Sequence, residues 1–293
     1  MNIRTLQHFL ALAENLHFGR ASDISNISIS ALSRNIRQLE DSLEVTLFNR
    51  DNRTVKLTEE GEKFLKYARE ALSQWQIIQN ELGESSDELR GEISLYCSVT
   101  ASYSILFELL NRFRTDFPGI EIKLHTGDPE HAIARVLAGN EEISIAAHPR
   151  TLPKGVVFKP ITVSPLVFIA PREQLNPEVP IMTPDSTIVW SSVPMVLSET
   201  GIARNRVDAW FRDMQIKPRI YAQVEGYEAI VSMVSLGLGI GVVPKIVLDN
   251  SPLAERIQIL DVSPALDAFN IGSFTLKRNL KNPLVDAFWK VIQ

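Results

Sequence analysis

The chain has 293 residues, which is too long for one small hydrophobic core and indicates two or three domains. Its formal net charge of −5 excludes a uniformly basic protein that coats nucleic acid, and its single cysteine, Cys97, excludes an intramolecular disulfide. The sequence has no apolar run near the roughly 18 residues that span a bilayer and no secretory leader pattern, so we expect a cytoplasmic protein without a membrane partner.

The first 58 residues predict three short helices joined by tight turns, which is the pattern of a helix-turn-helix unit. The residues expected to point into its core are Ile3, Leu6, Phe9, Leu10, Ala13, Ala21, Ile24, Leu32, Ile36, Leu39 and Leu43. Ser28 or Ser30 is suited to cap the third helix. Asn26 tolerates the left-handed conformation that the turn before this helix requires.

Two short β-like runs, TLFNR and RTVKL, follow around Asp51 and Asn52 and predict a hairpin. A hairpin directly after a helix-turn-helix indicates the winged variant of that unit. Arg50 and Arg53 flank the tip and Lys56 follows, a placement suited to DNA phosphates or to a minor groove.

The third helix of a helix-turn-helix protein enters the major groove of DNA. Serine hydroxyls can bond to base edges or phosphates, and arginine can pair with guanine or neutralise a phosphate. The candidate DNA-binding residues are therefore Ser28, Ser30, Ala31, Ser33, Arg34, Arg37, Arg50, Arg53 and Lys56. The alternative is a solvated helix face whose serines only cap the helix.

An apolar repeat with a 3.5-residue period begins after Thr58, which is suited to cap a long helix with Glu59 and Glu60 in its first turn. The members of this stripe are Phe64, Ala68, Ala71, Trp75, Ile78 and Leu82. We favour dimerisation through the stripe over packing against its own chain. The segment GESSDELRG, residues 83–91, is expected to be a hinge.

Strands and helices alternate beyond Gly91, which predicts parallel α/β sheets. One set runs from EISLYCS to EISIAA and a similar set runs from PLVFIA to GIGVV, and two such units in tandem imply a cleft between them. GLGIG, residues 237–241, follows a predicted helix and precedes a strand, so we expect a tight helix-to-strand turn there and not a dinucleotide loop.

The stretches HFGRASDISNISISALSRNIRQLED and LFNRDNRTVKLTEEGE, with the α/β half, resemble the LysR-type transcriptional regulators over essentially the whole chain. The resemblance implies an α/β multidomain fold: a winged helix-turn-helix DNA-binding domain over 1–58, a long linker and dimerisation helix over 59–88, and a C-terminal two-lobed α/β (periplasmic-binding-protein-like) effector domain over 89–293. It implies lobe I over about 91–162 plus 265–293 and lobe II over about 163–264.

Shorter stretches such as CSVTASYS and EAIVSMVSLGLGIGVVP are similar to the branch of this family that activates acetohydroxy-acid isomeroreductase expression in isoleucine and valine biosynthesis. That similarity implies 2-acetolactate and 2-aceto-2-hydroxybutyrate, small 2-hydroxy keto acids, as inducers. The implied partners are double-stranded promoter DNA and further copies of the chain, with dimer and tetramer both open and RNA polymerase a further candidate. Where the family's reading helix often has Gln-Pro, this chain has Ile29 and Ser30, and Ile29 can offer only an apolar contact, for instance to a thymine methyl.

Three predicted helix starts in the α/β half, within SVTAS, SETGIARNR and VEGYE, can meet at the cleft, where helix N-termini favour an anion. For each of them alone, routine capping is the alternative. By the resemblance, in which the effector binds between two subdomains, the effector-binding candidates are Thr100, Ala101, Ser102, Thr126, Gly127, Gly201, Arg204 and Gly226.

The sequence contains none of the common catalytic motifs, so we expect no enzyme activity and no cofactor. Cys97, His125 and His148 each end a predicted strand, but their spacing matches no metal signature and no metal site is expected. The alternative class is a two-lobed α/β enzyme or small-molecule-binding protein with a helical extension.

Overall fold

The computed structural model describes residues 2–51, 54–82, 89–173 and 188–292. The chain divides into two compact units, Met1–Leu89 with Lys281–Pro283, and Arg90–Leu280 with Leu284–Gln293. The predicted hinge lies outside the described residues as far as residue 88. Within these ranges, every helix falls short of the length and apolar character that crossing a bilayer demands.

The first unit begins with three helices whose apolar faces form one core. These helices are α1 (Ile3–Asn15), α2 (Phe18–Ile24) and α3 (Ile29–Leu43). The buried core residues of the three helices are Leu6, Phe9, Ala11, Leu12, Ala13, Ala21, Leu32, Ile36 and Leu39. Ile24 and Leu43 are exposed, so the prediction that they point inward is wrong. Each is the last residue of its helix and lies beyond the edge of the core.

The turn between α2 and α3 has the predicted chemistry. Asn26 adopts the left-handed conformation, with φ 51°. Ser28 is the residue that caps α3, since its Oγ accepts the N–H of Ala31 at 3.2 Å. Ser30 lies in the first helical turn, and its Oγ is 3.1 Å from that of Ser28. The cap is therefore Ser28, and Ser30 belongs to the helix proper.

A two-stranded hairpin follows, as predicted. Strands β1 (Phe48–Arg50) and β2 (Val55–Leu57) pair antiparallel, with Asn49 opposite Lys56. The Asp51 carboxylate accepts hydrogen bonds from the N–H and the hydroxyl of Thr54 at 2.6 and 2.7 Å, which closes the described part of the turn. The tip, residues 52–53, lies outside the described residues.

The long helix α4 spans Glu59–Leu82 and begins at the predicted cap. Thr58 Oγ1 accepts the N–H of Gly61 at 2.9 Å and donates to the carbonyl of Thr46 at 2.7 Å. Thr58 therefore caps α4 and also ties its start to Thr46, two residues before β1.

The apolar stripe of α4 divides into two halves. The first half, Phe64, Ala68 and Ala71, packs on the core of its own unit. Ala68 is fully buried there, and the Phe64 ring meets the Phe9 ring edge-on with 4.7 Å between centroids. The second half, Trp75, Ile78 and Leu82, is exposed. The prediction of dimerisation through the whole stripe is wrong for the first half, because α4 covers the helical core of its own chain.

The second unit contains two five-stranded sheets, one in each lobe. Lobe I has β3 (Gly91–Cys97), β4 (Ile120–Thr126), β5 (Ile143–Ala147), β6 (Val156–Ser164) and β12 (Phe269–Leu276). Lobe II has β7 (Leu166–Pro171), β8 (Pro194–Ser198), β9 (Arg219–Val224), β10 (Ile240–Pro244) and β11 (Ile257–Ile259). The strand orders are β4-β3-β5-β12-β6 and β11-β7-β10-β8-β9.

Both sheets are mixed, so the prediction of parallel sheets is only partly right. In lobe I, β3 pairs parallel with β4 and β5, whereas β12 pairs antiparallel with β5 and β6. In lobe II, β8 pairs parallel with β9 and β10, whereas β7 pairs antiparallel with β10 and β11. The antiparallel pairs arise because the chain crosses between the lobes twice, from β6 to β7 and from β11 to β12.

Helices that begin directly after parallel strands bring their first turns to the cleft. The helices of lobe I are α5 (Val99–Ser104), α6 (Leu106–Asp116), α7 (Ala132–Ala138) and α11 (Pro283–Val291). Those of lobe II are α8 (Gly201–Asp213), α9 (Tyr227–Ser235) and α10 (Lys245–Asp249). Short 3-10 helices cover Pro129–His131, Ala254–Arg256 and Asn279–Lys281. The helices at the cleft are α5, α8, α9 and α10, of which the first three contain the predicted helix starts. GLGIG forms the predicted turn between α9 and β10.

Candidate DNA-binding surface and effector cleft

The outward face of α3 carries most of the predicted DNA contacts. Its exposed or partly exposed members are Ser30, Ala31, Ser33, Arg34 and Arg37. Leu32 and Ile36 on the opposite face are fully buried, so the two faces have separate roles. Ser28 uses its hydroxyl as the helix cap. Ile29, the first residue of α3, is 55% exposed.

Glu40, near the end of α3, ties the hairpin to this helix and was missed by sequence reasoning. Its Oε1 accepts the N–H groups of Leu47 at 2.9 Å and Phe48 at 3.1 Å, and its Oε2 accepts from Arg50 at 2.5 Å. The Glu40 side chain is only 13% exposed. The Glu40 carboxylate thus accepts hydrogen bonds from the backbone N–H groups of two buried residues and from one arginine side chain. The sequence shows only an acidic residue after the core residue Leu39, which does not reveal these partners.

The basic residues of the hairpin differ in their surroundings. Arg50 pairs with Glu40 and lies over the Phe18 ring of α2 at 5.4 Å from its centroid, and 31% of its side chain is exposed. Lys56 is exposed on β2. Arg53 lies outside the described residues. Arg50 is therefore anchored against α2 and α3, and its position depends on Glu40.

A cavity of about 310 Å³ lies between the two lobes. Its polar lining is Ser98, Thr100, Ser104, Asn205, Tyr227 and Glu130, and much of the remaining wall is apolar. Of the described residues that line it, Glu130 is the one with a charged side chain. Burial raises the pKa of Tyr227, so its phenol stays protonated and can donate a hydrogen bond. The volume is at the lower end of the range for small-molecule sites.

Three of the eight effector-binding candidates, Thr100, Ala101 and Gly201, line this cavity. The candidates outside its lining are Ser102, Thr126, Gly127, Arg204 and Gly226. Four polar residues of the lining were not among the effector-binding candidates: Ser98, Ser104, Asn205 and Tyr227. Ser98 and Tyr227 adjoin the predicted helix starts, and Ser104 and Asn205 lie within about one turn of them. The helix starts in the sequence therefore indicate the region of the cavity but do not identify the individual residues that line it.

Ser102 and Thr126 lie outside the lining of this cavity. The Ser102 hydroxyl donates to the carbonyl of Val99 at 2.6 Å and is used within its own helix. Thr126 is the last residue of β4 and is exposed outside the cavity. The structure therefore gives no support to the prediction that these two residues bind the effector.

The two glycines outside the lining have other surroundings. Gly127 faces the Tyr96 hydroxyl, which would lie 2.4 Å from a Cβ at this position. That hydroxyl donates to the carbonyl of Asp128 at 2.8 Å, so Gly127 makes room for a contact inside lobe I. Gly226 caps α9 beside a much smaller adjoining space. Neither glycine lines the main cavity.

Arg204 does not supply a positive charge to the cavity. Its Nε lies 2.9 and 3.0 Å from the two carboxylate oxygens of Asp208, one turn along α8. Its guanidinium also donates to the carbonyl of Ser198 at 3.0 Å. These bonds hold the side chain along its own helix. Asp208 at the i+4 position takes the arginine, so the structure gives no support to the prediction that Arg204 meets an effector carboxylate.

Carboxylates of the opposite lobe occupy two of the three helix starts. Glu228 of α9 accepts hydrogen bonds from the N–H of Thr100, at 3.1 Å, and from its hydroxyl. Glu130 of lobe I accepts from the hydroxyl of Thr200, the residue before α8. The helix starts meet at the cleft as predicted, but the charge that they meet there is negative.

Cys97 ends β3 beside the cleft and is fully buried, and burial raises the pKa of its thiol to about 12. The thiolate is the reactive form, so we expect iodoacetamide at pH 8 to label the native protein at least roughly a hundredfold more slowly than the urea-unfolded protein. Mass spectrometry of timed samples measures both rates. Equal labelling rates in the native and the unfolded protein would show that Cys97 is not protected by burial.

Lobe I contains an ion pair between a buried carboxylate, Glu141, and Arg135, whose side chain is 34% exposed. The Glu141 side chain has no exposed surface and accepts from Arg135 at 2.8 and 2.5 Å, with His125 Nδ1 at 2.9 Å. Arg135 also lies over the Tyr96 ring, 4.7 Å from its centroid. Arg135 therefore supplies most of the interactions that compensate the buried negative charge of Glu141. Among the described residues, no group of three His, Cys, Asp or Glu side chains is arranged to hold a metal ion.

The fold and these two sites are those of a DNA-binding regulator with a separate small-molecule cleft. Residues 3–62 match the family model described as bacterial regulatory helix-turn-helix protein, lysR family, and residues 86–293 match the LysR substrate binding domain. The chain therefore belongs to the LysR family. It is a DNA-binding transcriptional regulator and not an enzyme.

The HTH-type transcriptional activator IlvY of Salmonella typhimurium is 43% identical over 100% of this chain and 99% of that protein. IlvY of Haemophilus influenzae is 44% identical over 100% of both chains. The structure resembles a full-length OxyR variant from Pseudomonas aeruginosa, with TM-score 0.69, 20% identity and coverage of 100% of this chain and 94% of that one. It also resembles full-length CbnR complexed with its target DNA, with TM-score 0.65, 23% identity and coverage of 100% and 99%. At these identities the two structures establish the fold alone.

Proposed function

We propose that this protein activates expression of acetohydroxy-acid isomeroreductase, in isoleucine and valine biosynthesis, in response to 2-acetolactate or 2-aceto-2-hydroxybutyrate. The observation that carries the proposal is the 42–44% identity to IlvY proteins over the full length. We propose the division into a DNA-binding domain over 1–58, a linker helix over 59–88 and an effector domain over 89–293.

The proposed DNA contacts are Ser30, Ser33, Arg34 and Arg37 of α3 with Arg50, Arg53 and Lys56 of the hairpin. The exposure of Arg34 and Arg37, on the face of α3 that turns away from its core, supports this assignment. The exposure of Ile29 supports an apolar contact, for instance to a thymine methyl, where the family often has glutamine.

Operator binding of the Arg34→Ala variant across a salt series tests the DNA assignment. Loss of one phosphate or base contact is expected to weaken binding and, for a phosphate contact, to reduce the salt slope by about 1. Arg112→Ala removes the same charge from an exposed position on α6 and is the matched control. If Arg34→Ala and Arg112→Ala bind the operator with the same affinity and salt slope, Arg34 makes no DNA contact.

We propose that the chain dimerises through the exposed half of the α4 stripe. Trp75, Ile78 and Leu82 present apolar surface to solvent at the 3.5-residue spacing of a helix seam. A two-fold dimer matches the paired half-sites that helix-turn-helix proteins read. We further propose that dimers can assemble into a tetramer and that the protein contacts RNA polymerase at the promoter.

The cavity between the lobes is the proposed effector site. Its apolar wall suits the short alkyl groups of a branched 2-hydroxy keto acid. Hydroxyl and amide groups of Thr100, Ser98, Asn205 and Tyr227 can bond to the ligand's hydroxyl, keto and carboxylate oxygens. Because Arg204 is held by Asp208, the effector carboxylate is expected to be bound by neutral donors.

Calorimetric titration of the full-length protein with 2-acetolactate and a panel of small 2-hydroxy and 2-keto acids tests the effector assignment. Thr100→Val removes a hydroxyl at similar volume and is expected to weaken binding about tenfold. Thr126→Val makes the same change on an exposed residue outside the cavity and should bind as the wild type does. Failure of the wild type to bind either inducer would overturn the assignment, whereas full affinity in Thr100→Val would show only that the Thr100 hydroxyl contributes no net affinity.

A further inference from the structure

Two hydrogen-bonded pairs join lobe I to lobe II at the edge of the cavity. In the first pair, the Glu228 carboxylate of lobe II accepts from the N–H and hydroxyl of Thr100 in lobe I. In the second pair, the Glu130 carboxylate of lobe I accepts from the hydroxyl of Thr200 in lobe II. We call these two pairs the rim latches.

The rim latches are reciprocal, since each lobe contributes one acid and one threonine. Thr100 is buried, whereas Glu228, Glu130 and Thr200 are exposed, so the bonds lie where the cavity meets solvent. A hydrogen bond to a charged carboxylate is about twice as strong as one between neutral groups. Three such bonds, two to Glu228 and one to Glu130, oppose separation of the lobes.

The second latch has a specific seat for its acid. Gly201 has φ 101°, and a Cβ at this position would lie 1.7 Å from Glu130 Oε1. A side chain at 201 would therefore push Glu130 away from Thr200. From the other side, Asp128 Oδ1 accepts the N–H of Glu130 at 2.9 Å and holds the short 3-10 helix in place. The glycine and the aspartate together position Glu130 across the cleft.

We infer that the rim latches hold the cleft closed in the effector-free protein and that the effector binds only after they open. The inference rests on the proposed function, because it takes the cavity as the effector site. A ligand oxygen that uses the N–H or hydroxyl of Thr100 must displace Glu228. The apparent affinity for the effector is then lowered in proportion to the fraction of molecules in the open, binding-competent state.

Hydrogen exchange of the full-length, effector-free protein tests the latches themselves. Glu228→Ala removes the acceptor for Thr100, and Thr200→Val removes the donor to Glu130 at similar volume. We expect both variants to exchange the amides of α5 about fivefold faster than the wild type. Glu225→Ala removes an exposed acid just before α9 and is the matched control, expected to exchange as the wild type does.

The Thr200→Val result separates a latch from a local cap. If Glu228 only caps α5 locally, exchange of α5 should become faster in Glu228→Ala but not in Thr200→Val. The reason is that Thr200 bonds to Glu130 and makes no bond to α5 or to Glu228 in these two pairs. Unchanged exchange of α5 in Thr200→Val would therefore overturn the inference. Unchanged exchange in Glu228→Ala would overturn it as well, since the Thr100 bond would then not protect the amide.

Calorimetry with 2-acetolactate tests the consequence for the effector. Thr200 does not line the cavity, so Thr200→Val leaves the proposed ligand contacts intact. We expect it to bind 2-acetolactate about fivefold more tightly than the wild type. If Thr200→Val binds 2-acetolactate as tightly as the wild type or more weakly, the latches are not a barrier to effector binding and the inference is wrong. If the wild type does not bind 2-acetolactate, the proposed function fails, and the exchange results alone decide whether the latches close the cleft.

Discussion

Replacing Glu40 with alanine is expected to weaken operator binding about tenfold and to destabilise the first unit by about 1–3 kcal/mol. The change removes the acceptor for the buried residues Leu47 and Phe48 and the partner of Arg50. Loss of a negative charge near DNA acts in the opposite direction, but the Glu40 side chain is only 13% exposed and its charge is already paired with that of Arg50. The loss of order in the hairpin should therefore outweigh the gain in charge.

Asp41→Ala is the matched control, because it removes the same charge from the next, exposed position of α3. It is expected to bind the operator as tightly as the wild type or slightly more tightly. Fluorescence anisotropy with labelled operator DNA measures the affinities, and thermal unfolding measures the stability. In a double-mutant cycle with Arg50→Ala, we expect coupling above about 0.5 kcal/mol. Strictly additive effects would show that Glu40 does not position Arg50.

Replacing Arg135 with alanine is expected to destabilise the second unit by about 3–5 kcal/mol, the cost of leaving a buried charge without its partner. The Glu141 side chain has no exposed surface, and after the change only His125 remains bonded to it among the partners described above. For a unit of this size, each 1 kcal/mol corresponds to roughly 2–4 °C in Tm, so the unfolding transition should fall by about 10 °C.

Lys245→Ala supplies the contrast, because it breaks an ion pair with Asp249 whose two side chains are largely exposed. It is expected to change the free energy of unfolding by less than about 0.5 kcal/mol. Adding Glu141→Gln to Arg135→Ala removes the buried charge itself and should restore part of the lost stability. Differential scanning calorimetry measures all three variants. Arg135→Ala with the same Tm as Lys245→Ala would show that Glu141 is not left as an uncompensated charge.

The DNA-binding half was largely predictable, because its signals are local. The spacing of Leu32, Ile36 and Leu39 determines the buried face of α3, and the left-handed turn at Asn26 and the cap at Thr58 follow from residue type. Periodicity failed where it continued past the ends of the core, at Ile24 and Leu43. It also could not show that α4 packs its first half on its own chain, since a core and a dimer seam have the same apolar pattern.

The effector half was predictable as an architecture and less so as a site. Alternating strands and helices indicated a two-lobed α/β unit with helix starts at its cleft, and Thr100, Ala101 and Gly201 do line the cavity. Arg204 was assigned to the ligand because it lies one turn into α8. The choice between a ligand and Asp208 depends on the rotamer that packing allows, and residue type alone does not decide it.

The sequence by itself determined where helices start, which faces are apolar and to which family the chain belongs, because these features depend on residues close together in the chain. Only the tertiary structure decided the pairings that control both sites: Glu40 with the hairpin, and Glu228 with Thr100 across 128 positions of sequence. Such pairings depend on which elements become neighbours and how their side chains pack. A charged residue therefore shows that it needs a partner, and the fold selects which partner it meets.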